Sequence, residues 1–328
     1  MRTVDVVGGG PAGAMAALAA MREGAAVRIF EKSSFPRHKV CGEFLSPAIL
    51  TLLHRAGCGN AFLQLRPAVL REMELHFGMR VIRHRLPEPA FGLSRYELDR
   101  LLLQHAASEG AAVMREHWSA TAHAGTAILA AGRGSIAPAS GRLFGFKAHF
   151  TGPVNDAVEL YFFENCYVGV SAIEDGATNV CGLAPEQALR AAGFHPGELL
   201  QRCLPLAERL RPLDRSIDWL VTGPLVFSER LSQPSDQATY RAGDSLGFID
   251  PFTGSGILNA MLTGELAGIA AARGTSATAY LRDCRRLLRR PFLVSSAFRA
   301  ILATGHAGLL ASLVPGRFLF HATRASGV

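Results

Sequence analysis

Three short stretches carry residue types whose spacing implies chemistry. The first is Gly8, Gly10 and Gly13, spaced G-x-G-x-x-G, with Glu31 following 18 positions beyond Gly13. In such a set the first glycine permits a tight turn, the second lets backbone approach a pyrophosphate, and the third lets helix and strand pack closely. An acid at that distance accepts hydrogen bonds from ribose hydroxyls and repels a 2′-phosphate, which favours FAD or NAD over NADP. The second stretch, "FPRHKVCGEFLSP", gathers Arg37, Lys39, Cys41, Gly42 and Glu43: two cations, a thiol and a carboxylate. The third, "AGDSLGFIDPFTGSGI", sets Asp244 and Asp250 in small and apolar text, then runs through Pro251, Gly254 and Gly256 into the apolar "LNAMLTGELAGIAAA".

The elements that position these residues are legible nearby. Thr3–Val7 is a short apolar run of the buried parallel type. Pro11 suits a first helical position, and the alanines from Ala12 to Ala20 form a slim helix whose amides face the phosphates. Val27–Phe30 is the second strand, closed by Glu31 and Lys32. In "SRYELDRLLLQHAASEGA", Ser94 and Glu97 form a capping box, Leu98, Leu101, Leu102 and Ala106 form the buried face, and Gly110 ends the helix. Glu72–His76 and Arg80–Arg85 read as a hairpin around Gly78. From Leu143 the text alternates: in "LFGFKAHF" the residues Phe144, Phe146, Ala148 and Phe150 share one face, and Gly145, Lys147 and His149 the other. "AVELYFFE", "CYVGVSAI" and "TNVCGLA" continue this pattern.

"GDSLGFIDPFTGSGILNAM" resembles the second flavin-binding motif of the p-hydroxybenzoate hydroxylase and geranylgeranyl reductase superfamily. The resemblance implies that Gly243 and Asp244 meet the flavin ribitol and that Pro251, Gly254, Gly256 and Ile257 pass beside the isoalloxazine ring. A helix N-terminus there would face the negative charge of reduced flavin. It further implies that the Arg37–Glu43 segment runs along the flavin, that Arg95 contacts FAD, and that Ala131-Gly132 in "TAILAAGRGS" stands where aromatic hydroxylases carry Asp-Gly. The missing acid, with no second G-x-G-x-x-G, leaves NAD(P)H at most a transient electron donor. The implied fold is α/β: a Rossmann-like FAD-binding domain (residues 1–71, 91–135 and 236–275), an inserted antiparallel substrate sheet (72–90 and 136–235) and a C-terminal helical segment (276–328). The expected cofactor contacts are Gly8, Gly10, Pro11, Ala12, Gly13, Glu31, Lys32, Arg37, Lys39, Cys41, Gly42, Arg95, Ala131, Gly132, Gly243, Asp244, Pro251, Gly254, Gly256 and Ile257. The catalytic candidates are Cys41, Glu43, Lys147 and His149; Tyr161, Tyr167, Ser171 and Asn179 are further polar groups offered to substrate.

Composition bounds the function. The chain has 328 residues, 49% hydrophobic and 19% charged, so it can bury one large core or two smaller ones. Its net charge of +7 suits an anionic cofactor or an acidic membrane surface; the basic residues are scattered and no nucleic-acid motif is present. The six cysteines form neither CxxC nor a zinc-like spacing, so no metal is expected. A reduced cytoplasmic protein without signal peptide or spanning helix is expected, at most peripheral to the inner face of the membrane. From Tyr280 the text is helical and basic, with Arg282, Arg285, Arg286, Arg289 and Arg290. It reads either as a solvated flank closing the substrate domain or as a surface for a membrane, lipid or carrier partner. The leading functional reading is a monooxygenase acting on an apolar or aromatic metabolite through a flavin C4a-hydroperoxide. The alternatives are reduction of carbon–carbon double bonds in an isoprenoid or lipid, and a flavin-holding accessory protein acting on a protein partner. Prenyl reductases of the family carry Gly-Gly-x-x-Trp-x-x-Pro; "CYVGVSAIEDGATNVCGL" lacks the Trp and the Pro and is more similar to bacterial flavoproteins of secondary metabolism.

Overall fold

A computed structural model describes residues 2–121, 125–133, 142–225, 238–248 and 254–303. Asp250 and Pro251 lie outside the described residues. The chain opens with β1 (Thr3–Val7), α1 (Pro11–Arg22) and β2 (Ala26–Phe30). The short β3 (Phe44–Leu45) and helices α2 (Ala48–Arg55) and α3 (Gly59–Gln64) lead into the hairpin β4 (Ala68–Phe77) and β5 (Arg80–Gly92). Helix α4 (Arg95–Ser108), β6 (Ala112–Met114) and β7 (Thr126–Leu129) return to the first layer. A second excursion supplies β8 (Leu143–Thr151), β9 (Ala157–Phe163), β10 (Cys166–Ala172) and β11 (Thr178–Pro185). Helices α5 (Glu186–Ala191), α6 (Pro196–Leu200) and α7 (Leu204–Leu210) follow, with strands β12 (Asp214–Arg215) and β13 (Leu220–Leu225). The final β14 (Thr239–Arg241), α8 (Gly256–Arg273) and α9 (Ala277–Ala303) rejoin the first layer.

Two sheets result. The first is parallel throughout, in the order β14-β7-β1-β2-β6. Helix α1 is buried along every residue from Pro11 to Ala20. It lies against α8 at very short range: a Cβ on Gly264 would sit 2.1 Å from the Ala12 carbonyl oxygen, and one on Gly268 2.2 Å from that of Ala16. Small residues on both helices therefore bring backbone nearly to backbone.

The second sheet runs β12-β8-β11-β10-β9-β4-β5-β3, with β13 also pairing β8. It differs from the expected all-antiparallel sheet in one place. β4 pairs β9 in parallel, Glu72 opposite Ala157 through Phe77 opposite Phe162. The hairpin comes from early in the chain and docks beside β9 in the same direction, a pairing no local periodicity encodes. The hairpin is also longer than expected, and its ladder skips register between Leu70 and Glu72. The far face of this sheet packs under α5–α7, where Phe146 and Phe150 meet Trp219 edge-on.

Helix α4 starts as expected at Ser94, whose Oγ accepts the Glu97 N–H at 3.2 Å. The box is not reciprocal. Glu97 pairs with Arg100 instead, and the Ser94 N–H donates at 2.7 Å to Glu174 on the loop before β11. Leu103 replaces Leu101 on the buried face beside Leu98, Leu102 and Ala106, Leu101 being half-buried.

Candidate active site and cofactor cradle

A cavity of about 820 Å³ opens between the two sheets. One end is the turn between β1 and α1. Gly8 and Gly13 do not face it; they let strand, helix and the β7 end close up, since a Cβ on Gly13 would lie 1.8 Å from the Gly8 oxygen and one on Gly8 2.5 Å from the Ala130 oxygen. Gly10 does face it, with Pro11 and Ala12. A Cβ on Gly10 would find no protein atom nearer than an Arg95 guanidinium nitrogen at 3.8 Å, and Gly42, Gly132 and Gly256 along the same wall face open space. The cavity is thus cradled by bare backbone, as a close-fitting phosphate and a flat ring require.

Three cations converge on this end. Arg37, Lys39 and Arg95 all line it. Burial first, then the charges of Arg95 and Arg37, push Lys39 down to about 8. Arg95 is tied bidentately to the buried Asp99 (2.6 and 2.7 Å), whereas Arg37 lies 3.9 Å from Glu31 and its buried Nε has no protein partner. A surplus of positive charge around bare glycine backbone fits a diphosphate. Glu31 itself is held just behind this wall. One carboxylate oxygen accepts the Gly9 N–H and the other the Ser33 N–H, both at 2.8 Å, while Lys32 and Ser33 line the cavity.

At the other end, Ala131, Gly132, Gly243, Asp244, Gly254, Gly256 and Ile257 line the wall. Gly243 has φ 59°, and a Cβ there would press within 2.9 Å of Ala12, which ties the third motif to the first. Burial pushes the Asp244 carboxyl above its ordinary value, only partly countered by Arg133, Arg95 and Lys39. Arg133 reaches across to the second sheet, donating to Thr222 Oγ1 at 3.2 Å with its guanidinium 5.0 Å from the Phe248 ring centre.

Between the two ends sits a buried polar cluster. Glu43 has no exposed surface and takes φ 55°, a left-handed conformation that non-glycine residues adopt at a cost of about 1–3 kcal/mol and that concentrates at functional sites. Its carboxylate accepts hydrogen bonds from Lys147 Nζ, from His149 Nε2 (2.7 Å) and from the Arg95 backbone N–H (2.6 Å). Burial alone would raise this carboxyl; the His149 hydrogen bond and the Lys147 charge more than offset it and hold Glu43 below its ordinary value. The structure therefore joins three of the four catalytic candidates, Glu43 from just before β3 with Lys147 and His149 from β8. Cys41 is adjacent: the Glu43 N–H points to its sulfur at 3.4 Å, and Asn179 donates to its carbonyl at 3.1 Å. Burial pushes the Cys41 thiol up, so it stands on the cavity wall in protonated form.

His38 was not among the sequence candidates, although it lies inside the second motif. It lines the cavity, stacks on Tyr96 (ring centres 4.8 Å apart) and meets His149 edge-on at 5.1 Å. Burial, then the charges of Lys147 and His149, lower its basicity, leaving a neutral imidazole. Neither Lys147 nor His149 lines the cavity, whereas His38, in ring contact with His149, and Glu43 do. The only advance signal was its place three residues before the catalytic-type Cys-Gly-Glu text.

Beyond the cluster the cavity becomes apolar, walled by Phe44, Met73, Leu75, Leu86, Val158, Leu160, Leu183 and Leu225. Tyr167 and Ser171 of β10 also face it. Tyr161 does not: it lies on the opposite face of the sheet, its hydroxyl donating to Glu159 at 2.5 Å, because odd and even positions of a strand face opposite ways. Among the described residues no group of three or more His, Cys, Asp or Glu is placed to hold a metal ion.

Residues 1–131 match the family described as the FAD binding domain. Residues 1–131 are thus an FAD-binding domain, and the chain is a flavoprotein. A menaquinone reductase of Mycobacterium tuberculosis is 33% identical over 122 residues, 34% of this chain and 28% of that protein. The matched stretch is thus little more than a quarter of that relative's length. The flavin-dependent halogenase CmlS superposes with a TM-score of 0.76 over 100% of this chain and 68% of its own at 21% identity. A geranylgeranyl bacteriochlorophyll reductase-like protein of Thermoplasma acidophilum gives 0.72 over 98% and 92% at 20% identity. At these identities the structural likenesses establish a shared fold. In this flavoprotein, Gly10, Pro11, Ala12, Arg37, Lys39 and Arg95 would hold the diphosphate of FAD, and Asp244 and Gly256 its flavin half.

Proposed function

We propose that the protein is an FAD-dependent monooxygenase acting on an apolar or aromatic small molecule. The observation that carries this reading is the continuity of one cavity from the glycine and cation cradle, past a buried acid–base cluster, into an apolar chamber. When bound, FAD supplies two-electron redox chemistry and, reduced, reactivity toward dioxygen. The chain's own residues do the rest. Leu75, Leu86, Val158 and Leu160 orient an apolar guest and exclude water. Glu43 stays ionised between Lys147 and His149, fixing the field at the junction. His38, neutral and facing the cavity, is placed to hold or move a proton at its ring nitrogen.

The test is oxygen consumption by the reduced, FAD-loaded protein in the presence of apolar aromatic probes, with isotopically labelled dioxygen and with or without chloride. Label in the product supports the reading. Halogenated product without label, or no product at all, overturns it. A second reading, reduction of a carbon–carbon double bond in a lipid-like molecule, is favoured by the protonated Cys41 thiol on the cavity wall and by the resemblance to the menaquinone reductases. Anaerobic, dithionite-driven saturation of a prenyl chain supports that alternative.

A further inference from the structure

The charge of this chain is segregated rather than scattered. The 45 residues from Cys284 to the end contain seven arginines and neither Asp nor Glu, so the whole net charge of +7 resides there and the preceding 283 residues balance at 27 of each sign. The described part of this segment is helix α9. One face of it is buried: Tyr280, Leu281, Cys284 and Leu288 pack on the first domain's core. Leu288 also lines the cavity. The opposite face exposes Arg282, Arg285, Arg286, Arg289 and Arg290. Asp283, half exposed, is 3.9 Å from Arg286, and no other ion pair involves these arginines among the described residues. Leu293 continues the exposed side, 60% accessible. The sequence beyond α9 adds Leu309, Leu310, Leu313, Val314, Phe318, Leu319 and Phe320 around Arg317.

From this arrangement we infer that α9 docks the protein on an anionic lipid bilayer. Arginines on one side of a helix, with apolar residues following, match a negatively charged interface with an apolar interior. A nucleic acid would match the arginines but not Leu293 or the apolar text after it. The same helix contributes Leu288 to the cavity wall, so the docked face and the cavity share one element. The docking does not depend on which reaction the flavin performs, and its test leaves that question untouched.

The test uses the full-length, FAD-loaded protein in flotation assays with phosphatidylcholine vesicles, with vesicles half phosphatidylglycerol, and with a duplex DNA at equal ionic strength. The expected result is binding to the anionic vesicles alone, released by salt. Replacing Arg282, Arg285 and Arg289 together by Gln is expected to weaken partitioning about a hundredfold, at about fivefold per arginine, while flavin absorbance stays unchanged. The inference is overturned if the protein stays unbound on anionic vesicles, binds both vesicle types equally, prefers the duplex, or if the triple variant partitions like the wild type with its flavin retained.

Discussion

Glu43 offers the sharpest test of how the centre of the site is held. Replacing it by Gln keeps shape and removes the charge. Lys147, fully buried, then loses its counter-ion, and His149, 7% exposed in its side chain, loses its acceptor. Breaking a buried pair on one side costs about 3–5 kcal/mol. At roughly 2–4 °C per kcal/mol for a large domain, the Tm falls by about 6–20 °C at neutral pH. The pairing, rather than the side chain, is responsible, so the double variant Glu43→Gln with Lys147→Met should recover at least half of the loss. The pH dependence has a defined sign. Glu43 titrates below 4.5 in the folded state, so its contribution is complete above about that pH and disappears as the pH falls through the lower folded value. The wild-type and Gln curves therefore converge in acid. Differential scanning calorimetry of the apo and FAD-loaded forms across pH measures all of this. A single variant within about 1 kcal/mol of wild type, or a double variant as unstable as the sum of the singles, refutes the argument.

Gly10→Ala and Gly13→Ala should separate cofactor binding from folding: the first leaves the apo Tm nearly unchanged and abolishes flavin absorbance, because its Cβ enters open space, while the second lowers the apo Tm by several degrees, because its Cβ would meet the Gly8 oxygen at 1.8 Å. His38 titrates below 6.5, so the folded state loses stability relative to the unfolded chain as the pH drops below about that value; His38→Gln should flatten the Tm between pH 7.5 and 5.5 while retaining FAD, as thermal melts will show. Cys41, raised by burial, should alkylate with iodoacetamide at neutral pH at least about tenfold more slowly than a free thiol and speed up as the pH rises beyond 9, read by mass spectrometry of the modified peptide.

Local text told most about the cradle. The β1–α1–β2 unit, Pro11 at the first helical position and the glycine spacing all depend on neighbours within a few residues, and each leaves a periodic or steric trace. The union of Glu43 with Lys147 and His149 leaves none, since 104 and 106 residues separate the partners. Alternation in "LFGFKAHF" placed Lys147 and His149 on one face, but not opposite which carboxylate. Tyr161 was misplaced because the strand reading gave two faces without saying which one looked inward. Glu174 took the Ser94 N–H that a reciprocal capping box would have given to Glu97, a choice made by the tertiary fold and invisible in a four-residue pattern. The parallel docking of β4 on β9 belongs to the same class.

The contact between α1 and α8 has a mechanical consequence. Ala12 and Ala16 meet Gly264 and Gly268 with almost no side chain between them. One helix starts at the diphosphate turn and the other at the flavin end, so the length of the binding trough is fixed by two rigid rods welded along their backbones. The trough cannot lengthen or shorten by rotamer changes. A swing of the nine-stranded sheet against that welded pair would leave the trough's length unchanged, whereas a single methyl group at Gly264 or Gly268 would wedge the rods apart and detune both ends at once.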